Sequence, residues 1–337
     1  MKLALIGANG NVGSELCFLL QNDVELKPIT RNRLGSVFLN HHGFDCTISD
    51  ISKENDAKES LSDVDVVVIS SYATDIFTGS QTRSSQLINE KIIKNSINFS
   101  HPDAAIIYFS TIRAFSNRID PNTSNGWTKS GYDKEKLTLE KILFSESAKK
   151  KKKAFALRLG HVYGDNQPRT RDLKKLLSKS ELSIQVKPKN KSNVVHTVTI
   201  KDAILKCLET KTLPGIYSLV NVPQWTWKNV IDYYKKPETI INYKTIKTKT
   251  QENSALWKIL KSNKKHLAPL RYYISPKYDT RINKKLSTKR MLAAISSLKT
   301  EIPFYMLGFD YNPIPGPFLK NLQNTENLLE SYNLKVF

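Results

Sequence analysis

A short glycine-rich segment near the N-terminus constrains the fold of this chain more than any other feature. The residues GANGNVG begin at Gly7 and lie between an apolar run at 2–6 and a helical spacing of apolar residues at 12–22. Gly7 permits a tight turn off the strand, Gly10 lets the backbone approach a pyrophosphate, and Gly13 lets the helix pack against the sheet. The helix start adds unpaired N–H groups and a partial positive charge. The segment therefore predicts a dinucleotide site formed by Gly7, Asn9, Gly10, Asn11, Val12 and Gly13.

The alternation of strand and helix continues to about residue 220. Apolar or β-branched runs predict strands at 24–30, 64–70, 105–110, 154–159, 194–198 and 215–220. Helical spacing predicts helices at 81–95, 128–148 and 200–210. This order is typical of an α/β fold, a doubly wound parallel sheet of the Rossmann type with right-handed crossovers. Pro28 predicts an edge or irregular position for the second strand.

The strong alternation also divides the chain into two predicted domains. Residues 1–165, completed by about 194–220, form the dinucleotide-binding Rossmann domain. The pattern fades beyond about residue 222, where tryptophan, tyrosine and proline become frequent. Residues 166–193 and 221–337 are therefore predicted to form a smaller C-terminal cap that binds substrate.

Composition limits the partners and the compartment. The net charge of +21 could attract nucleic acid, an anionic membrane or a phosphorylated substrate. The lysines are spread along the chain, however, and the one run, at 149–153, is interpreted as a solvated connection. No apolar run reaches the length of about 18 residues that a membrane-spanning helix needs. The three cysteines are scattered, so no metal site and no disulfide framework is predicted, and a cytoplasmic location is expected.

The end of the second predicted strand bears on the choice between NAD and NADP. An acidic residue there would hydrogen-bond the ribose 2′-hydroxyl of NAD. This chain has Thr30 and Arg31 instead, and an arginine can meet the 2′-phosphate of NADP. Arg31 therefore favours NADP, with NAD left open.

A tyrosine and a lysine four residues apart form the predicted reacting pair. Tyr132 and Lys136 share one face of the helix at 128–148. A cation beside a phenol favours the phenolate, so Tyr132 could exchange a proton near neutral pH. Upstream, the strand at 105–110 ends in Ser110 and Thr111, where a hydroxyl could orient the substrate oxygen.

Together, these motifs resemble the extended short-chain dehydrogenase/reductases, known as the NAD-dependent epimerase/dehydratase family. The likeness includes the G-x-x-G-x-x-G spacing, the strand-end Ser/Thr and the Y-x-x-x-K pair, and it covers about residues 1–230. Three later segments agree with it: 157-LRLGHVYGDN-166, 193-NVVHTVTIKDAILKCLE-209 and 215-GIYSLV-220. Within them, Tyr163 and His196 are predicted mainly to pack.

The resemblance implies roles for particular residues. The family pattern puts Thr111 at the catalytic Ser/Thr position, with Ser110 as the alternative, beside Tyr132 and Lys136. Lys136 would also bind the nicotinamide ribose. Asp50 and Ile51 match the family position near the adenine, although Asp50 could equally be a helix N-cap. Ala73 is the candidate to face the nicotinamide, with Ser70 or Ser71 as alternatives, in a segment where this chain departs from the family pattern.

The resemblance also narrows the reaction. Family dehydratases carry an Asp-Glu pair where this chain has Ile112 and Arg113, which argues against dehydration. A nucleotide-sugar substrate is implied, with epimerisation by hydride transfer as the reaction. Arg113, His161 and Arg169 are the predicted substrate contacts, with Arg171 or Arg271 as alternatives to Arg169 for holding the phosphates. Alternatives are an NADPH-dependent reductase of another carbonyl compound, or a non-catalytic member that binds cofactor or RNA. A homodimer through a four-helix bundle is a further expectation.

Overall fold

The structure is a computed structural model that describes most of the first 243 residues. The described ranges are 1–74, 81–115, 131–164, 167–184, 188–189, 192–210, 212–220 and 225–243. Most of the predicted cap, including all residues beyond 243, lies outside these ranges. The division into two domains therefore stays a prediction.

Short connections join the strands and helices of the described chain. The strands are β1 (Lys2–Ile6), β2 (Glu25–Thr30), β3 (Thr47–Ile48), β4 (Val66–Ile69), β5 (Ala105–Thr111), β6 (Ala154–Leu159), β7 (His161–Tyr163), β8 (Glu181–Ile184), β9 (Val194–His196), β10 (Gly215–Leu219) and β11 (Ile240–Tyr243). The helices are α1 (Asn11–Leu20), α2 (Arg33–His41), α3 (Glu54–Leu61), α4 (Arg83–Phe99), α5 (Gly131–Lys149), α6 (Pro168–Leu176), α7 (Thr197–Cys207) and α8 (Trp227–Tyr234). A 3₁₀ turn at Ile112–Phe115 follows β5.

Seven parallel strands form the main sheet, in the order β10-β6-β5-β4-β1-β2-β3. The chain runs outward from β1 through β2 to β3, and then returns to β4 and runs outward on the other side. Ligands of such sheets bind at the carboxyl ends of the strands where this reversal occurs. The predicted doubly wound sheet is confirmed, and its reversal places the crevice between β1 and β4.

Both faces of the sheet are covered, because its central strands are apolar on both sides. Along β5, Ile107 and Phe109 pack in one core with α1 and α7, whereas Ile106 and Tyr108 pack in the other with α4 and α5. All seven residues of β5 are buried. This full burial explains why the strands read as continuous apolar runs.

Smaller parallel pairs lie outside the main sheet. β7 pairs with β9, and β8 pairs with β11. Thus the predicted strand at 194–198 is shorter than expected and does not join the main sheet. None of the described helices combines the length and hydrophobicity needed to cross a membrane.

Two sequence predictions need correction. β2 is not an edge strand, because β3 pairs with Ile29 and Thr30. β3 does not reach Pro28, so the proline meets only β1 and its missing N–H breaks no ladder on that side. Within the run at 149–153, Lys152 is not simply solvated, since its ammonium donates to the carbonyl oxygens of Ser100 and His101 at 3.0 and 2.7 Å.

Candidate active site

The glycine segment makes two approaches that no other residue type allows. Gly7 has φ +83°, and a Cβ there would lie 2.8 Å from the backbone of Ser71, which follows β4. A Cβ on Gly13 would lie 2.3 Å from the carbonyl oxygen of Gly7. The loop is therefore tightly folded, and it holds the start of α1 against the end of β1.

The first turn of α1 is open to an anion. Gly10 is the N-cap residue and no side chain caps the helix. No acidic residue occupies the first turn. The N–H groups and the positive end of the helix dipole at Asn11, Val12 and Gly13 thus have the chemistry that a pyrophosphate requires.

At the predicted ribose end, Arg31 follows β2 directly. Arg31 and Arg33 are exposed, and neither forms an ion pair within the described chain. Asn9 reaches toward the same place, since a Cβ on Gly35 in α2 would lie 2.7 Å from its side-chain nitrogen. The glycine loop and the end of β2 therefore meet where a ribose would lie.

At the predicted adenine end, the two candidate residues are engaged locally. The Asp50 carboxylate accepts from the N–H and the hydroxyl of Ser52, at 3.2 and 2.7 Å. Asp50 is not the N-cap of α3, because Lys53 holds that position. The side chain of Ile51 is buried in the core, so its contribution to a cofactor site would come from its main chain.

The residues after β4 brace the loop beside the crevice. The Ser70 hydroxyl donates to the Ile6 carbonyl oxygen at 2.8 Å, so it stabilises the end of β1. Ala73 is held on both sides by Asn89 of α4, whose side chain accepts from its N–H at 2.7 Å and donates to its carbonyl at 3.0 Å. Both predicted nicotinamide contacts thus follow β4 and have their positions fixed by hydrogen bonds, Ser70 to the end of β1 and Ala73 to α4.

Lys136 is the most unusual charged residue of the site. It is only 3% exposed, and its ammonium donates to the Phe109 carbonyl oxygen at 2.7 Å. Burial lowers its pKa from 10.5 to about 7, while Glu140 and Glu135 oppose that shift. An ammonium has three N–H donors, and Phe109 is its one hydrogen-bonding acceptor among the described residues. A ribose hydroxyl next to it could accept a hydrogen bond from a second of these donors.

Tyr132 lies beside Lys136 on the inner side of α5. Its ring meets that of Tyr72 edge-on, with the ring centroids 5.1 Å apart. The Tyr72 hydroxyl donates to Glu135 at 2.8 Å, and Asn89 donates to the other oxygen of that carboxylate at 2.8 Å. The sequence analysis did not identify Tyr72, Glu135 or Asn89. The available signals were the aromatic residue just past β4 and the glutamate next to Lys136.

The two hydroxyls at the end of β5 have different surroundings. The Ser110 hydroxyl donates to Glu140, which also holds Arg158 through Nε and Nη2 at 2.9 and 2.6 Å. The Ser110 hydroxyl is therefore part of the hydrogen-bond network of this buried ion pair. Thr111 is the last residue of the strand and is nearly buried, and it remains the candidate for the catalytic position. Arg113 lies in the 3₁₀ turn, but its side chain is outside the described part of the structure.

The predicted substrate residues lie beyond the main sheet. His161 begins β7, 6.0 Å from the Trp227 ring, and Arg169 is in the first turn of α6. The predicted packing of Tyr163 and His196 is confirmed. Tyr163 stacks on Tyr234 in a small core, and buried His196 caps α7 by accepting from the Val198 N–H.

A comparison with sequence-family models identifies the family of the chain. The sequence model of the NAD dependent epimerase/dehydratase family matches residues 3–219, which include the glycine loop, Thr111, Tyr132 and Lys136. This chain belongs to that family. The extended short-chain dehydrogenase/reductase resemblance is therefore confirmed, and the residues of the proposed site all lie within the matched region.

Solved structures of epimerases share the fold of this family member. The UDP-N-acetylglucosamine 4-epimerase from Bacillus cereus is 20% identical, with a TM-score of 0.54 over 73% of this chain and 86% of that chain. The UDP-glucuronic acid 4-epimerase from Bacillus cereus in complex with NAD is 17% identical, with a TM-score of 0.56 over the same shares. The UDP-glucose 4-epimerase from Thermus thermophilus in complex with NAD is 14% identical, with a TM-score of 0.54 over 72% and 86%. No curated protein sequence matches the chain significantly.

The buried ammonium predicts a specific pH dependence of stability. Between about pH 7 and 10 the unfolded chain keeps a proton on Lys136 that the folded, cofactor-free protein releases. Stability rises with pH wherever the unfolded state binds more protons. From pH 7 to 10, the free energy of unfolding of the unsubstituted protein should therefore rise by roughly 3 kcal/mol relative to that of Lys136→Met.

Urea unfolding of both proteins across this pH range measures the difference. Lys134→Met, on the exposed side of the same helix, is the control and should give a difference that does not change with pH. A pH-independent difference for Lys136→Met as well would show that the lysine keeps an ordinary pKa.

Proposed function

We propose that the protein is an NAD(P)-dependent epimerase of a nucleotide sugar, with Tyr132 as the acid and base. One observation carries the proposal. Tyr132 and Lys136 lie on the inner side of α5, beside the ends of β4 and β5, at the edge of the sheet where the glycine loop opens. A dinucleotide with its pyrophosphate on α1 could extend along this edge toward both residues.

The described residues fit such a cofactor. No side chain caps the first turn of α1. A Cβ at Gly13 would collide with the backbone of the glycine loop, so glycine at this position allows the loop to stay compact beneath a phosphate. Lys136 has donors left for a ribose hydroxyl. When bound, the nicotinamide ring would supply the acceptance and return of a hydride.

Residues of the chain would then transfer the proton and orient the sugar hydroxyl. Tyr132 would take the proton of a sugar hydroxyl while the carbon that bears this hydroxyl loses a hydride to the nicotinamide. A keto sugar would result. Thr111 would hydrogen-bond the same oxygen and hold it in line with the phenol. After the sugar presents its other face, Tyr132 would return the proton to the oxygen. The Lys136 ammonium would favour the phenolate form of Tyr132 through its charge.

Two properties support a nucleotide-sugar substrate. The similar solved structures include epimerases of UDP-N-acetylglucosamine, UDP-glucuronic acid and UDP-glucose. The net charge of +21 suits a diphosphate, and Arg169 lies at the start of α6, where it could meet one. His161 and Arg113 are the further proposed contacts with the substrate.

Tyr132→Phe tests the acid and base role. It should lower the rate of epimerisation by at least about 100-fold, because the phenolic proton carrier is gone. The dissociation constant for the dinucleotide should change by less than about threefold, which is under about 1 kcal/mol. Chromatography of UDP-glucose, UDP-N-acetylglucosamine and UDP-glucuronic acid after incubation measures the first quantity, and fluorescence titration measures the second.

Tyr233→Phe, an exposed tyrosine of α8, serves as the matched control and should keep full activity. A near-normal rate of epimerisation by the Tyr132→Phe protein would show that Tyr132 is not the acid and base. Net oxidation of NADPH with a carbonyl substrate, in place of epimerisation, would identify the reductase alternative.

Arg31 supports a preference for NADP, although the matched family is described as NAD dependent. Its guanidinium follows β2 and is exposed without an ion-pair partner in the described chain, so it is available to a 2′-phosphate. Arg31→Asp should raise the dissociation constant for NADPH at least about tenfold more than that for NADH, because only NADPH carries this phosphate.

Fluorescence titration with both cofactors measures this ratio. Lys94→Asp, which makes the same charge change on the exposed side of α4, controls for the loss of overall positive charge. Equal effects of Arg31→Asp on both cofactors would show that Arg31 does not read the phosphate, and NAD would then be the favoured cofactor.

A further inference from the structure

Three tyrosine rings surround the buried ammonium of Lys136. The Nζ atom lies 4.5 Å from the centroid of the Tyr72 ring, 4.6 Å from that of Tyr108, and 5.8 Å from that of Tyr132. The rings come from three different parts of the fold, namely the loop after β4, strand β5 and helix α5. The face of an aromatic ring attracts a cation, and the attraction is strongest where water is excluded. We refer to these three rings as the tyrosine cage.

Tyr72 is a member of the cage whose side chain and neighbouring backbone are both held by hydrogen bonds. Its hydroxyl donates to Glu135 at 2.8 Å and accepts from the Gln81 side chain. The next residue, Ala73, is held through both main-chain groups by Asn89, which also binds Glu135. The Tyr72 ring is thereby held in contact with both Lys136 and the Tyr132 ring.

We propose that Tyr72 is a positioning residue, whose ring holds the Lys136 ammonium and the Tyr132 ring in the arrangement that proton transfer requires. This inference rests on the proposed function for its catalytic meaning. In this role the ring is the active part, because its face meets the ammonium and it packs in a T-shaped arrangement with the Tyr132 ring. The hydroxyl acts indirectly, by tying the ring to Glu135.

The electrostatic balance at Lys136 shows why a ring is needed there. Charged or titratable groups face the ammonium from every element that packs around it: Tyr72 after β4, Tyr108 on β5, Tyr132, Glu135 and Glu140 on α5, and Arg158 on β6, which is paired with Glu140. Burial favours the neutral amine, and the two glutamates oppose it. Both glutamates are also bound to other donors, which share their negative charge. The three ring faces add attraction for the ammonium without bringing another charged group into the core.

Titration of Lys136 in variants of Tyr72 tests the inference without any substrate. Lysines labelled with ¹³C at Cε can be followed by NMR in the full-length protein, and Lys136→Arg identifies the signal by its loss. Tyr72→Leu should lower the titration midpoint of Lys136 by about one unit, because a desolvated cation loses one ring face while the site stays apolar. Tyr72→Phe keeps the ring and should leave the midpoint within about 0.3 units of its original value.

Two further variants keep the test decisive. Tyr72→Met fills the space with a flexible side chain that has no ring, so it replaces Tyr72→Leu if that protein fails to fold, and the same shift is expected. Tyr233→Leu removes an exposed tyrosine of α8 and should leave Lys136 unchanged. The proposal is wrong if both ringless variants leave the midpoint unchanged, or if Tyr72→Phe shifts it as far as they do.

Activity measurements separate this inference from the proposed function. If a nucleotide sugar is epimerised, Tyr72→Leu should lower kcat at least about tenfold and leave KM within about threefold, with kcat recovered in Tyr72→Phe. Normal kcat and an unchanged pH profile in Tyr72→Leu would overturn the positioning role while the proposed function stands. If no nucleotide sugar is turned over, the proposed function fails, and the NMR titration still decides whether the cage holds the ammonium.

Discussion

A single buried ammonium group determines how the candidate site is organised. Removing a charge from water is costly unless other groups replace the lost hydration. At Lys136 the replacement consists of one main-chain carbonyl, three aromatic rings and two nearby carboxylates. The hydrogen bond to Phe109 ties α5 to β5, and it thereby restrains the position of Tyr132 on the same helix.

The carboxylates that support the ammonium are themselves held by neighbouring elements. Glu140 binds the buried Arg158 of β6, and Glu135 binds Tyr72 and Asn89. Breaking a buried pair leaves an uncompensated charge, so each partner constrains the others. The ends of β4, β5 and β6 are in this way joined to one face of α5. The glycine loop completes the same edge, because only glycine permits the approach of α1 to β1.

Local pattern was sufficient to predict the main sheet and the helix that carries Tyr132 and Lys136. Strand and helix alternation gave the parallel fold, and helical spacing gave the shared face of Tyr132 and Lys136. By contrast, α2, β3 and α3 were not predicted, because these elements are short and α3 is largely polar. Tyr72, Asn89 and Glu135 were missed because their contacts join residues 16 to 63 positions apart. The choice between Ser110 and Thr111 also depends on a tertiary contact, namely the Glu140–Arg158 pair that binds Ser110.

The central claim is that this organised ammonium lies at the nicotinamide end of a dinucleotide held by the glycine loop. Native mass spectrometry of the purified protein, before and after incubation with NAD and with NADP, tests it most directly. The account predicts one dinucleotide bound per chain, and the mass increment identifies which one. A chain that keeps its bare mass with both cofactors would contradict the account, because the loop, the open start of α1 and Lys136 would then serve no common ligand.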